Sequence, residues 1–300
     1  MSADDVTVDV DGHELGLTSL SRVYYPQVGF TKGEAIDYYR RVAPVLLPHL
    51  VDRPLTLKRY PQGVDEPFFY EKHAPRGRPD WVRTAEVTIG DGKAVEYVLA
   101  HDLATLLWVA NLGSIELHAP MWRHPKVSRP DQIMFDLDPG EPATIVECCV
   151  VGCRLREILQ QVGLTPVAKA SGKKGLHVMA GVKGVSSDEA TELAHEIARR
   201  LEADDPDLVV SRMTKKLRVG KVLVDWSQNR AAKTTVAAYS LRATPEPQVS
   251  APVTWDEVES CAKPDDLVFG PDDVLARIKA DGDVFAPLGE ARARPRRLPG

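Results

Sequence analysis

A chain of 300 residues with 43% hydrophobic and 27% charged side chains has enough apolar surface for a substantial core, which excludes global disorder. Its net charge of -5 argues against a protein that coats nucleic acid nonspecifically, but not against a local basic groove. No basic-then-apolar leader and no run near the ~20 apolar residues of a membrane span occur, so a cytoplasmic protein without a membrane partner is expected.

In chain order, Thr31-Lys-Gly-Glu34 is a capping box opening a helix whose apolar Ile36, Tyr39, Ala43 and Leu46 share a face, with Pro48 helping to end it. Short β-like runs follow at Leu55 to Arg59, Glu86 to Ile89, Ala94 to Leu99 and Gln132 to Leu137. Thr144 to Val162 has helical apolar spacing. Further runs at Gly175 to Ala180 and Lys221 to Trp226 flank a helix capped by Ser186-Ser-Asp-Glu189, and Thr254-Trp-Asp-Glu257 is another capping box. Mixed periods without an internal repeat predict an α+β or α/β architecture. Residues 286–300, rich in arginine, read as a basic mobile tail.

The four cysteines do not have the spacing of a disulfide framework or a zinc ribbon. Cys149 and Cys153 would share a helix face, but His or Cys partners for zinc are not close in sequence, and reduced core thiols are the simpler reading. Basic residues gather at Lys58-Arg59, at Lys72 to Arg83 and from Arg212 to Lys221. Each alone is an ordinary solvated face.

Three strings carry chemistry. Ile133-Met-Phe-Asp136-Leu-Asp138-Pro-Gly140 ends an apolar strand in two carboxylates, and alternation puts both on one side. Two readings stay open for the pair alone: a divalent-cation site, or turn chemistry that ends a strand. Lys169-Ala-Ser171-Gly-Lys-Lys174-Gly-Leu-His177 collects a hydroxyl, two glycines, ammonium groups and an imidazole, an inventory suited to a triphosphate and equally to a Gly/Lys surface hairpin. It lacks Walker A spacing. Arg218-Val-Gly-Lys221-Val-Leu-Val-Asp225-Trp-Ser-Gln228 is an apolar strand with one carboxylate near its end and cations around it. An aspartate pair on one strand and a third on another form a ligand set able to hold two divalent ions around a phosphoryl group.

Together these strings resemble the polymerase domain of bacterial DNA ligase D, in the archaeo-eukaryotic primase superfamily. The resemblance runs from about Val10 to Phe285. It implies a primase-polymerase fold, α+β with mixed and antiparallel sheets. The expected organisation is one catalytic domain over 1–285, with DNA-contact elements in 1–130 and a catalytic core in 131–245. Asp136, Asp138 and Asp225 would then hold two Mn²⁺ or Mg²⁺ ions. Ser171, Lys174, His177, His118, Gln228 and Arg242 would bind the nucleotide. Lys32 and Arg22 would grip a 5′ phosphate, a role that a helix N-terminus also favours. Phe68 and Phe69 would stack on template bases, and Arg218 and Lys221 would contact DNA. Taken by themselves, His118 reads equally as a satisfied core histidine, and Phe68-Phe69 as core packing.

The implied activity is nucleotide addition to a primer 3′ end, preferentially of ribonucleotides, on DNA with a gap, break or overhang and a 5′ phosphate. NTP or dNTP would be the second substrate. A separate ligase and a Ku-type end-binding protein are the expected partners of a monomer, because no nucleotidyl-lysine ligase motif accompanies the domain. Two positions depart from the pattern: Lys173 stands where a small residue is usual, and Arg22 where relatives carry lysine. Two rivals remain: a catalytically silent end-binding module of the same fold, and an Asp-x-Asp phosphatase. The phosphatase signature wants Thr or Val where this chain has Gly140.

Overall fold

The computed structural model describes residues 4–89 and 92–298, which separate into two compact units. The first comprises the chain up to Pro120 with Thr234–Val249 and Phe269–Gly282; the second comprises Met121–Lys233, Ser250–Val268 and the chain from Asp283 onward.

In the first unit, Thr31 caps the helix Lys32–Leu50 through a reciprocal pair of bonds with Glu34. Val42, Leu46 and Leu50 are fully buried on its inner face. Pro48 does not end this helix. Pro44 and Pro48 both lie inside it on the exposed side, where water can serve the carbonyls that the missing N–H groups leave open, while burial of the opposite face continues to Leu50. A second helix, Leu103–Asn111, capped by Asp102, has no sequence period to betray it because nearly every residue is buried. A four-stranded sheet orders Thr235–Val236, Ser114–Ala119, Thr56–Arg59 and Phe69–Glu71, all antiparallel.

The second unit is built on a six-stranded sheet in the order Val209–Val210, Val222–Asp225, Gln132–Pro139, Leu176–Gly181, Pro166–Ala170, Pro252–Val253. All pairings are antiparallel except that of the first two strands. The helices Ile145–Gln161 and Ser187–Asp204 start at the capping boxes of Thr144 and Ser186 and pack on the Gln132–Pro139 strand. Gly152 lets the first of them approach closely: a Cβ there would lie 2.9 Å from Leu176 Cδ2. Cys148 and Cys149 are buried, all four cysteines are free, and burial pushes the Cys148 thiol well up. Among the described residues no group of three His, Cys, Asp or Glu side chains is gathered closely enough to form a preformed metal cage.

Within the segment expected to be a mobile tail, the residues up to 296 make fixed contacts, and the last two residues, 299 and 300, lie outside the described residues. Pro287–Glu290 is helical, Lys183 N donates to Ala293 O at 3.0 Å, and Arg296 N donates to Val162 O at 2.9 Å. Arg292 adds an ion pair to Asp131 at 3.2 Å. No described helix is long and apolar enough to cross a membrane.

Candidate active site

In the second unit, the central strand Gln132–Pro139 runs between the Asp225 strand and the His177 strand. Register sets Asp136 opposite Asp225 on one side and opposite His177 on the other. Asp136 and Asp138 alternate with the buried Leu137, so both carboxylates emerge on one face, as the sequence period requires. Burial first, and then the neighbouring Asp136, push the Asp138 carboxyl up, with Asp225 adding to the effect against Lys174 and Arg218. Two neighbouring carboxylates that push Asp138 up, with Asp138 itself, are a set of oxygen donors of the kind a hard divalent cation takes.

Each carboxylate has protein partners of its own. Asp136 Oδ1 is 3.4 Å from His177 Nε2, and Asp138 Oδ2 is 3.7 Å from Arg218 Nη1. Asp225 accepts from Ser227 N at 2.8 Å, from Ser227 Oγ at 2.7 Å and from Gln228 Nε2 at 3.0 Å. Gln228 therefore orients Asp225. Asn229, not singled out from sequence, fastens this turn to the central strand: its side chain accepts from Met134 N at 2.8 Å and donates to Met134 O at 2.7 Å.

The loop between the strands Pro166–Ala170 and Leu176–Gly181 closes on Ser171, whose Oγ accepts from Gly175 N at 3.0 Å and from Lys173 N at 3.3 Å. Gly172 has φ +70. At Gly175 a Cβ would sit 2.3 Å from Leu137 O, so only glycine lets the loop lie against the carboxylate strand. Lys173 and Lys174 are exposed and line an adjoining cavity of about 230 Å³, with Ile145 and Leu267 on its apolar side. Gly140 is equally constrained, since a Cβ would meet Arg218 O at 1.9 Å. Lys221, expected on DNA, spends its ammonium on Pro206 O, and Arg218 donates to Met213 O at 2.5 Å.

In the first unit, a separate constellation gathers around Glu116. Lys58 Nζ lies 3.4 Å from Glu116 Oε1, while His118 Nε2 at 2.9 Å and Arg242 Nη1 at 3.6 Å share Oε2. Burial pushes the Glu116 carboxyl up, yet the His118 hydrogen bond and the charges of Arg242, His118 and Lys58 outweigh it and hold the group well below the usual carboxylate range. His118 is itself lowered, chiefly by burial. Register puts Lys58 between Glu116 and Tyr70. Its ammonium is 4.3 Å from the Phe68 ring centroid and 5.1 Å from that of Tyr60, forming an aromatic wall around a cation.

Phe68, Phe69 and Tyr70 are 50%, 45% and 56% exposed, which rules out core packing for this pair of phenylalanines. Phe69 lies instead against Arg59, 5.1 Å from its guanidinium carbon. Lys58, Glu116 and Tyr70 were not among the residues expected to act. Their alternation with Tyr60, His118 and Phe68 was the signal available. Lys32 Nζ donates to Thr18 O at 2.6 Å, Arg22 Nη1 donates to Pro61 O at 2.7 Å, and burial followed by the Arg22 charge lowers Lys32 to about 8.

Residues 31–285 match the LigD primase-polymerase domain model. The chain belongs to the LigD primase-polymerase family. It is accordingly a nucleotidyltransferase of the primase-polymerase kind. It is 42% identical over 275 residues to the multifunctional non-homologous end joining protein LigD of Mycolicibacterium smegmatis, covering 91% of this chain and 36% of that one. It is 31% identical to the bifunctional LigD of Bacillus subtilis, covering 91% and 44%. The polymerase domain of Mycobacterium tuberculosis ligase D, solved in complex with DNA, superposes with a TM-score of 0.87 at 40% identity over 92% of this chain and 98% of that one. This LigD-type chain thus spans less than half the length of the LigD relatives it matches, and its α+β fold is that of the solved polymerase domain.

Proposed function

We propose that this chain extends a primer 3′ end by two-metal nucleotidyl transfer, filling short gaps or processing ends during non-homologous end joining. The observation that carries the reading is the register that lines up Asp136, Asp225 and His177 across three adjacent strands with the Ser171–Lys174 loop at the strand end. Asp136, Asp138 and Asp225 would hold two Mg²⁺ or Mn²⁺ ions, which supply activation of the attacking hydroxyl and neutralisation of the leaving pyrophosphate. Arg218, which faces the Asp138 carboxylate, would share that carboxylate with a bound ion. Ser171, Lys174 and His177 bind the triphosphate, with loop amides and charged donors placed before the substrate arrives. Gln228 and Ser227 hold Asp225 in orientation. No side chain acts as a covalent nucleophile.

In the first unit, Arg242 and His118 serve the nucleotide and Lys58 joins them. Phe68 and Phe69 offer exposed π faces to template bases, and Lys32 with Arg22 reads a 5′ phosphate. DNA is the proposed macromolecular substrate, consistent with the complex formed by the M. tuberculosis polymerase domain. Ribonucleotide preference, a preference for Mn²⁺, and a ligase and Ku-type protein as partners complete the proposal. Primer extension on a gapped, 5′-phosphorylated duplex tests it, with ribo- and deoxynucleotides and with each metal. Asp138→Ala should lower the rate at least about a hundredfold, the scale of losing a transition-state electrostatic group. Undiminished extension by that variant would remove the metal assignment, whereas tight gap binding without extension in the wild type would favour an end-binding module.

A further inference from the structure

Lys169 lies on the strand Pro166–Ala170 and is 1% exposed, an unusual place for an ammonium group. A buried cation persists only where its hydrogens are matched by acceptors. Lys169 Nζ is 2.6 Å from Ser250 Oγ and 2.9 Å from His177 Nδ1, the residue paired with it in strand register. Ser250 Oγ donates its own hydrogen to Ala170 O at 3.0 Å, so it faces Lys169 as an acceptor. Beyond the imidazole, His177 Nε2 faces Asp136 Oδ1 at 3.4 Å. The four groups are neighbours in series: Ser250, Lys169, His177, Asp136.

An ammonium group has only donors, so its partner on the imidazole must be a lone pair. With Nδ1 accepting, the ring proton belongs on Nε2, the nitrogen that faces the carboxylate strand. We propose that Lys169 is a positioning residue that locks His177 in its Nε2–H tautomer, so that the ring presents a hydrogen-bond donor to the anion at this site. In the free protein that anion is the Asp136 carboxylate; in the working complex it is a triphosphate oxygen. This second part rests on the reading of His177 as a nucleotide contact. A wrong tautomer would point a lone pair at an anion, so Lys169 controls nucleotide affinity without touching the nucleotide.

Long-range ¹H–¹⁵N correlation spectra of ¹⁵N-histidine-labelled protein, assigned with His177→Gln, read the tautomer in the unaltered chain. The expected result is a protonated Nε2 and a bare Nδ1 on His177. A protonated Nδ1 in the wild type overturns the proposal, and His177→Gln serves only to assign the signal, not to supply the readout. Lys169→Met, checked for folding by thermal unfolding, should shift His177 to a tautomer mixture. It should also raise the nucleotide KM in primer extension about tenfold, with kcat changed much less. In a His177→Gln background the same substitution should add little, because a glutamine amide has no tautomer to lose. Equal KM penalties for Lys169→Met in both backgrounds would reject action through His177. If His177→Gln alone leaves the nucleotide KM unchanged, the reading of His177 as a nucleotide contact fails, while the tautomer result stands.

Discussion

Asp136 is the direct cross-strand neighbour of Asp225 in the antiparallel ladder of the second unit. Like charges placed opposite each other in a sheet destabilise it, and here Asp138 adds a third carboxylate to the same region. The sheet therefore carries repulsion that the proposed metal site would relieve.

One consequence is a trade between stability and activity. In metal-free buffer at neutral pH, Asp138→Asn should be more stable than the wild type by roughly 0.5 kcal/mol, a figure kept small because the side chain is partly solvated. Urea midpoints measure it. A destabilised variant would mean that Arg218 and Lys174 already overcompensate the repulsion.

Phe68 faces solvent beside the Lys58 ammonium, and removing its ring costs little burial. Phe68→Ala should leave the unfolding temperature almost unchanged while weakening binding to gapped DNA by about 1–3 kcal/mol, the worth of one base stacked on an aromatic ring. Fluorescence anisotropy titrations with templates of differing base at the facing position should show similar losses for each. Strong dependence on base identity would contradict a simple stacking platform.

Lys32 has its proton affinity lowered to about 8 by burial and by Arg22. A base with a depressed pKa is charged below that value and neutral above it, so the grip on a 5′ phosphate proposed for Lys32 should fade as pH rises through 8. Preference for a 5′-phosphorylated over an unphosphorylated gap should be fully expressed at pH 7 and much reduced at pH 9, ahead of any general loss of DNA binding. Lys32→Ala should abolish that pH dependence; a preference that stays flat from pH 7 to 9 in the wild type would rule out Lys32 as its source.

Glu116 is the shared acceptor of Lys58, His118 and Arg242. Its carboxyl is held below the ordinary range, so the stability it contributes is complete above the unfolded-state pKa near 4.5 and is lost as pH falls from there toward the folded-state value. Glu116→Gln leaves buried cations without their counter-charge and should cost about 3–5 kcal/mol at pH 7. The difference from wild type should shrink as pH is lowered below 4.5. Chemical denaturation at pH 7, 4 and 3 checks both statements.

Much of the fold was legible in the chain because its signals are local. The helices at Thr31, Thr144, Ser186 and Thr254 each begin at a capping box whose two bonds close within three residues. The strand carrying Asp136 and Asp138 announced itself by alternation, and the glycines at 140 and 175 by the turns they make. Pro48 misled because its cost depends on which face of the helix it occupies. The helix Leu103–Asn111 escaped notice because burial on every side erases the period on which sequence reading depends.

The sequence by itself therefore determined the capped helices, the strands that carry the carboxylates, the three motif strings and the family they belong to. Only the tertiary structure decided which of those residues meet. That His177 faces Asp136, that Lys169 holds its other nitrogen, that Gln228 serves Asp225, and that Lys58 shares Glu116 with His118 and Arg242 are all consequences of strand register and loop closure. A slip of one residue in any ladder would turn these side chains to the opposite face. Register is chosen by the whole buried face of a sheet, and no short stretch of sequence contains it.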